Sequence, residues 1–358
     1  MKQPYSTLIV VIVISVFTSA YGGERKPVTP VSYKLSRIDA EMYGVLDINN
    51  KGELLIERQL VQYASPVPLL INKKGGETAP FECPGTTNDT DGVALNNRGE
   101  IVGHCGHAPG FTVHGFIANP ESGSVSLFAY PGAISTWAFG INDFGQVVGY
   151  YQNQPPPGCC FLLDTFSHGF LWDKASGEYR TIDNPLAYTK RGGPTWLTGI
   201  NKKGQIVGFY FGNNYTFNEV YSFIYDNGTF TPVEHPDAWE AATFIYGFNN
   251  NGQIFGEYDG PTCSNRCLFL YDSGEYFDVS LPLPDNAPYP NGMIIYPASA
   301  FNFAGLNDKG QFVGTYHRIL EWGPDPFHPG EFEPTKTELV NFIATPVHHG
   351  NHKEKGKN

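Results

Sequence analysis

The chain has 358 residues, a length that suits one large β-domain or two average ones. Its 23 Lys+Arg stand against 35 Asp+Glu, a formal charge of −12, which repels phosphate backbones and anionic lipid heads and so argues against nucleic-acid and membrane-surface partners. The 41 Gly, 28 Pro and 15% aromatic residues suit many short strands joined by turns, and no stretch keeps a 3.6-residue apolar period.

In chain order, residues 1–20 read as a signal peptide. Lys2 supplies a weakly positive start and Leu8 to Phe17 an apolar run too short to span a bilayer, and Thr18-Ser19-Ala20 follow with small residues at the cleavage spacing. No later segment is apolar enough to be transmembrane, so the mature chain is expected to be secreted or periplasmic. Export makes the six cysteines legible as disulfides: Cys83 with Cys105, Cys263 with Cys267 across a small loop, and adjacent Cys159 and Cys160, paired vicinally or elsewhere. Paired CxxC motifs are missing, so no zinc site is expected, and no motif asks for a cofactor.

Residues 31–346 carry an internal repeat. Six segments align: Leu46-Asp-Ile-Asn-Asn-Lys-Gly-Glu53, Ala94-Leu-Asn-Asn-Arg-Gly-Glu100, Gly140-Ile-Asn-Asp-Phe-Gly-Gln146, Gly199-Ile-Asn-Lys-Lys-Gly-Gln205, Gly247-Phe-Asn-Asn-Asn-Gly-Gln253 and Gly305-Leu-Asn-Asp-Lys-Gly-Gln311. Each Asn-x-x-Gly reads as a hairpin turn, with Asn capping it and Gly supplying positive φ. Third strands such as His168-Gly-Phe-Leu-Trp172 and fourth strands such as Tyr179-Arg-Thr-Ile182 follow. The pattern predicts a single all-β propeller of about six four-stranded blades, with an open β-solenoid as the architectural rival. Ser32 to Ile38 resembles a fourth strand and is placed to complete the last blade. Glu321 to Pro334 breaks the repeat, and five to seven blades fit. Residues 347–358 form a polar tail expected to be disordered.

The His-Gly-Phe tripeptides at 114–116 and 168–170, with Gly-Ile-Asn-x-x-Gly-Gln-Val-Val-Gly segments between residues 94 and 316, resemble the exported HAF-repeat family. That resemblance implies a repeat architecture outside the cytoplasm and brings no catalytic residues to carry over.

In such a blade the tight turns fall on one face. The irregular segments at 104–113, 152–167, 186–194, 212–219, 259–266 and 285–302 fall on the other, which is the expected functional rim. Trp137, Trp196 and Phe244 enter their strands from that rim, and Tyr151, Tyr210 and Tyr258 end second strands. These six are the candidate binding residues, as platforms for sugar rings. The competing reading is core packing, since apolar residues alternate in phase along the same strands. His104 and His107 form a further metal-type pair, whereas His114 and His168 recur with the repeat and suit structural hydrogen bonds. Rim acids Asp164, Glu219, Asp237, Glu240, Asp259 and Asp285 are present without a pattern that selects a pair. Hydrolase, metalloprotease and phosphate-loop signatures are absent. The sequence therefore points to an exported non-catalytic binding protein for polysaccharide or an extracellular protein. A secreted glycan hydrolase or lyase and an envelope scaffold are the alternatives.

Overall fold

In the computed structural model, residues 31–38, 44–58, 67–84, 90–107, 112–153, 167–187, 194–212, 220–240, 242–261, 267–281, 301–324 and 332–347 are described. Residues 1–30, Cys159, Cys160, Cys263 and the residues from 348 lie outside them. Every regular element among them is a β-strand.

β1 (Val31–Ile38) precedes a three-stranded sheet of β2 (Gly44–Ile48), β3 (Leu54–Arg58) and β4 (Val67–Ile71). Three four-stranded sheets follow. The first holds β5 (Thr90–Leu95), β6 (Ile101–His107), β7 (Thr112–Asn119) and β8 (Ser124–Phe128). The second holds β9 (Ser135–Ile141), β10 (Gln146–Gln152), β11 (Ser167–Asp173) and β12 (Tyr179–Thr181). The third holds β13 (Thr195–Ile200), β14 (Ile206–Phe211), β15 (Val220–Asp226) and β16 (Thr229–Pro232). The last strands are β17 (Thr243–Phe248), β18 (Ile254–Tyr258), β19 (Cys267–Asp272), β20 (Glu275–Ser280), β21 (Phe301–Ala304), β22 (Phe312–Pro324) and β23 (Phe332–Pro346). With β1 they form an eight-stranded sheet in the order β17-β18-β19-β20-β1-β23-β22-β21.

The fold is thus all-β and propeller-like. β1 joins the two halves of the large sheet, antiparallel to β23 over Tyr33–Ile38 and parallel to β20 at Val31 and Ser32. The irregular stretch after Glu321 extends the β22–β23 hairpin, with Trp322 opposite Pro334.

What orders the sheets is the side-chain amide of the turn asparagines. Asn49 is representative: its Oδ1 accepts from Lys51 N and Glu53 N at 3.0 Å, while its Nδ2 donates to the Glu53 carboxylate and to the carbonyl of Asn96 in the next turn. The same outward donation runs from Asn96 to Asn142, from Asn142 to Asn201, from Asn249 to Asn307 and from Asn307 back to Asn49, at 3.0–3.1 Å. Between Asn201 and Asn249 the link is Lys202 N donating to Asn250 Oδ1 at 2.8 Å. A second tier repeats the pattern one residue on: Asn50 N donates to Asn97, Asn97 N to Asp143, Asn250 N to Asp308 and Asp308 N to Asn50. The Asn residues are 2–3% exposed, so each unmet amide group would carry its full desolvation cost.

Five first strands share a register shift that leaves Leu46, Val93, Phe139, Thr198 and Tyr246 unpaired, each three residues before its turn Asn. The bulge brings the carbonyls of Asp91, Trp137, Trp196 and Phe244 to where a Cβ would stand on Gly103, Gly149, Gly208 and Gly256, so those second strands carry glycine. Thr90, Thr136, Thr195 and Thr243 are buried and fasten the incoming loops, accepting from the backbone N–H of Cys83, Tyr130, Asn184 and His235 at 2.9–3.1 Å. Apolar residues fill the space between sheets, as with Leu55, Leu95, Ile101 and Phe116.

Asn96→Asp is isosteric but turns two donors into acceptors, one facing Glu100 and one facing the Asn142 carbonyl. We expect it to lower unfolding stability by about 3 kcal/mol, whereas Asn72→Asp, in an exposed turn whose Asn Oδ1 only accepts, changes it by about 0.5 kcal/mol or less. Urea denaturation of both variants checks this. Equal losses would contradict the ring.

Candidate functional site

The first strands β2, β5, β9, β13, β17 and β21 surround a central cavity of about 540 Å³, within the range of small-ligand sites. All five bulged residues line it, so the register shift that forces glycine outside also aims side chains inward. The lining is uneven. Asp47, Glu57, Asp91 and His104 come from β2, β3, β5 and β6, while Phe139, Thr198, Tyr246 and Phe303 come from β9, β13, β17 and β21. Asn49, Asn96, Asn142, Asn249 and Asn307, with Asp143 and Asp308, also line the cavity.

Asp47 occupies the position held by Gly140, Gly199, Gly247 and Gly305 in other repeats. Its Oδ1 accepts from Ile48 N at 2.7 Å and its Oδ2 from Leu95 N at 2.8 Å, which ties β2 to β5. Burial pushes its carboxyl up to about 7, against the opposing pull of those two hydrogen bonds. Glu57 stands where Tyr150 and Phe209 stand in other repeats. Burial, reinforced by the charge of Asp91, pushes it up to about 7 as well. Asp91 is exposed to the channel, with His104 Nε2 3.5 Å from its Oδ2. The His104 ring in turn lies 5.9 Å from that of Phe139. Two carboxyls pushed up to about 7, the Asp91 carboxyl and an imidazole therefore line the same cavity, a set of groups suited to holding and moving protons.

The aromatic candidates read from the sequence lie elsewhere. Trp137 and Trp196 clasp Tyr150 from its two sides, with ring centroids at 4.6 and 4.5 Å. Trp196 also meets Phe209 and Phe211. Tyr151 is buried, stacked on Tyr130 at 3.6 Å with its hydroxyl against Thr181. Tyr258 is buried against His235 at 3.7 Å and donates to Asp278. Tyr210 stacks on Tyr221, and Phe244 is half-buried on β17. None of these six lines the cavity.

Cys83 and Cys105 are disulfide-bonded, with Cα atoms 6.4 Å apart, and fasten the β4–β5 connection to β6 beside His104. Cys267 is disulfide-bonded too. His168 donates to or accepts from Asp183 at 2.7 Å, which raises its pKa. Of the rim acids, Asp164, Glu219 and Asp285 lie outside the described residues. Sequence reasoning passed over Asp47, Glu57 and Asp91. Asp47 and Asp91 depart from repeat positions that are glycine or aromatic in most other units, whereas the place of Glu57 is also held by a glutamate, Glu257, in a later repeat.

No family model matches the chain, and no curated protein matches its sequence. Among solved structures it is similar to a chain from a mechanistic study of two prolyl endopeptidases, with 10% identity and TM-score 0.48 over 86% of this chain and 51% of that one. This chain spans about half the length of that protein. It is also similar to an oligogalacturonate lyase in complex with manganese (9%, TM-score 0.47, 89% and 97%) and to a putative TolB from Agrobacterium tumefaciens (10%, TM-score 0.44, 68% and 82%). These likenesses assign no ligand.

Asp47 and Glu57 hold protons more tightly folded than unfolded, so stability falls as pH rises from the ordinary carboxylate value to about 7. Glu77, Asp173 and Glu338, lowered by hydrogen bonds, act in the opposite sense at more acid pH. His168 adds stability below its unfolded value, lost as pH rises through its raised folded value. A difference between variant and wild type cancels these shared contributions. Glu57→Gln is expected to gain about 1–2 kcal/mol on the wild type between about pH 5 and pH 8, after allowance for solvent at the half-buried side chain. Urea titrations at both values check it, and a pH-independent difference would contradict it.

Proposed function

We propose that the chain is an exported binding propeller that takes a polysaccharide segment in its central channel. The observation that carries this reading is the mixed lining, with carboxyl groups and an imidazole beside Phe139, Tyr246 and Phe303 in one cavity. Sugar hydroxyls suit the polar groups and the apolar faces of sugar rings suit the aromatic ones. The long-loop rim then serves as the entrance to the channel. Six blades is the count that the six-turn ring supports, with β17–β20 as the fifth and β21–β23 completed by β1 as the sixth. Export is supported by the apolar run at Leu8 to Phe17 and by the Cys83–Cys105 bond. The His-Gly-Phe tripeptides support membership of the HAF-repeat proteins.

A second reading, hydrolysis of the bound glycan, is favoured by the Glu57 carboxyl, which lines the cavity with Asp91 and which burial and the charge of Asp91 push up to about 7, the range that suits a general acid.

The test is a glycan-array screen of the disulfide-intact mature chain with Tyr246→Ala and Glu57→Gln, followed by product analysis of every bound glycan. Binding is expected to weaken about tenfold or more in Tyr246→Ala. Cleavage that disappears in Glu57→Gln while binding persists would select the second reading. Binding indifferent to both folded variants would move the ligand out of the channel.

A further inference from the structure

We infer that the channel selects glycans bearing free amino groups, with Glu57 and Asp91 as the specificity-determining residues. The selectivity rests on the channel being the glycan site proposed above. Among the described residues, the carboxyl groups that line the cavity are those of Asp47, Glu57, Asp91, Asp143 and Asp308, and neither Lys nor Arg joins them.

Three of these acids have fixed hydrogen-bond donors. Asp308 accepts from Asn50 and Asn250 at 2.6 and 3.1 Å, Asp143 from Asn97 at 2.9 Å, and Asp47 from two backbone N–H groups. Their charge is spread over the frame of the ring and serves its geometry. Asp91 faces His104 across 3.5 Å. Glu57 is half-buried and accepts no hydrogen bond among the described residues, and its nearest charged influence is the like charge of Asp91.

A neutral sugar leaves that repulsion in place, and a uronic-acid chain adds to it. An ammonium group between the two carboxylates supplies the missing donor and counter-charge together. Phe139 and Tyr246 also line the cavity, and aromatic rings attract a cation. The net charge of −12 favours the approach of the same ligand class from solution.

The test measures affinities of three oligosaccharide sets of matched length for the full disulfide-intact chain: glucosamine, N-acetylglucosamine and galacturonate. Glucosamine oligomers are expected to bind about tenfold or more tighter than the N-acetylated set, with no galacturonate binding. The preference is expected to collapse to about twofold or less in the Glu57→Gln and Asp91→Asn variants, with fold checked by urea midpoint. Equal or tighter binding of the N-acetylated set would overturn the inference while leaving the glycan channel intact. Binding of none of the three would overturn both.

Discussion

The structure depends on one use of the asparagine side chain. An amide has both a donor and an acceptor end, and five of the six turn Asn residues, all but Asn201, spend the acceptor on their own turn and a donor on the next. Aspartate can cap a turn equally well but cannot reach outward to a neighbouring carbonyl. The tight turn and the packing of one sheet beside the next are therefore specified by a single residue. The return of the chain from Asn307 to Asn49, together with the pairing of β1 on β23, brings the two ends of the repeat together and covers edges that would otherwise be open.

From that ring follows the geometry of the site. First strands held at fixed separation cannot all pack flat, and five of them absorb the mismatch in the same one-residue bulge. The bulged residue turns toward the axis, so the cavity lining is written by the third residue before each Asn. Variation there costs the frame little. Leu46, Val93, Phe139, Thr198 and Tyr246 differ in size and polarity although their backbones match. Asp47 shows the same freedom used differently, since a carboxylate fills space that glycine leaves elsewhere and bridges β2 to β5.

Much of the fold was legible because repetition multiplies a weak signal. The Asn-x-x-Gly turns, the order of strands and the role of Ser32 to Ile38 all follow from spacing and alternation, and the Cys83–Cys105 bond is one of the expected pairings. The partner of each Asn amide was not legible, because turn chemistry is local and the ring is not. The cavity lining was passed over for a related reason. Trp137 and Trp196 drew attention by size, yet large rings at matching positions pack best on each other, and Tyr150 receives both. Asp91 carried the informative departure, an acid where Trp137, Trp196 and Phe244 stand in other repeats. That contrast stands out only when units are compared position by position.

The most direct test of the ring is native-state hydrogen exchange at the amides that the turn asparagines accept, Lys51, Arg98, Phe144, Lys203, Asn251 and Lys309. A ring shared by all six turns predicts that these amides lose protection together, with one opening free energy near that of global unfolding. Six separate free energies, or early exchange confined to one turn, would show that each turn stands alone and would contradict the account.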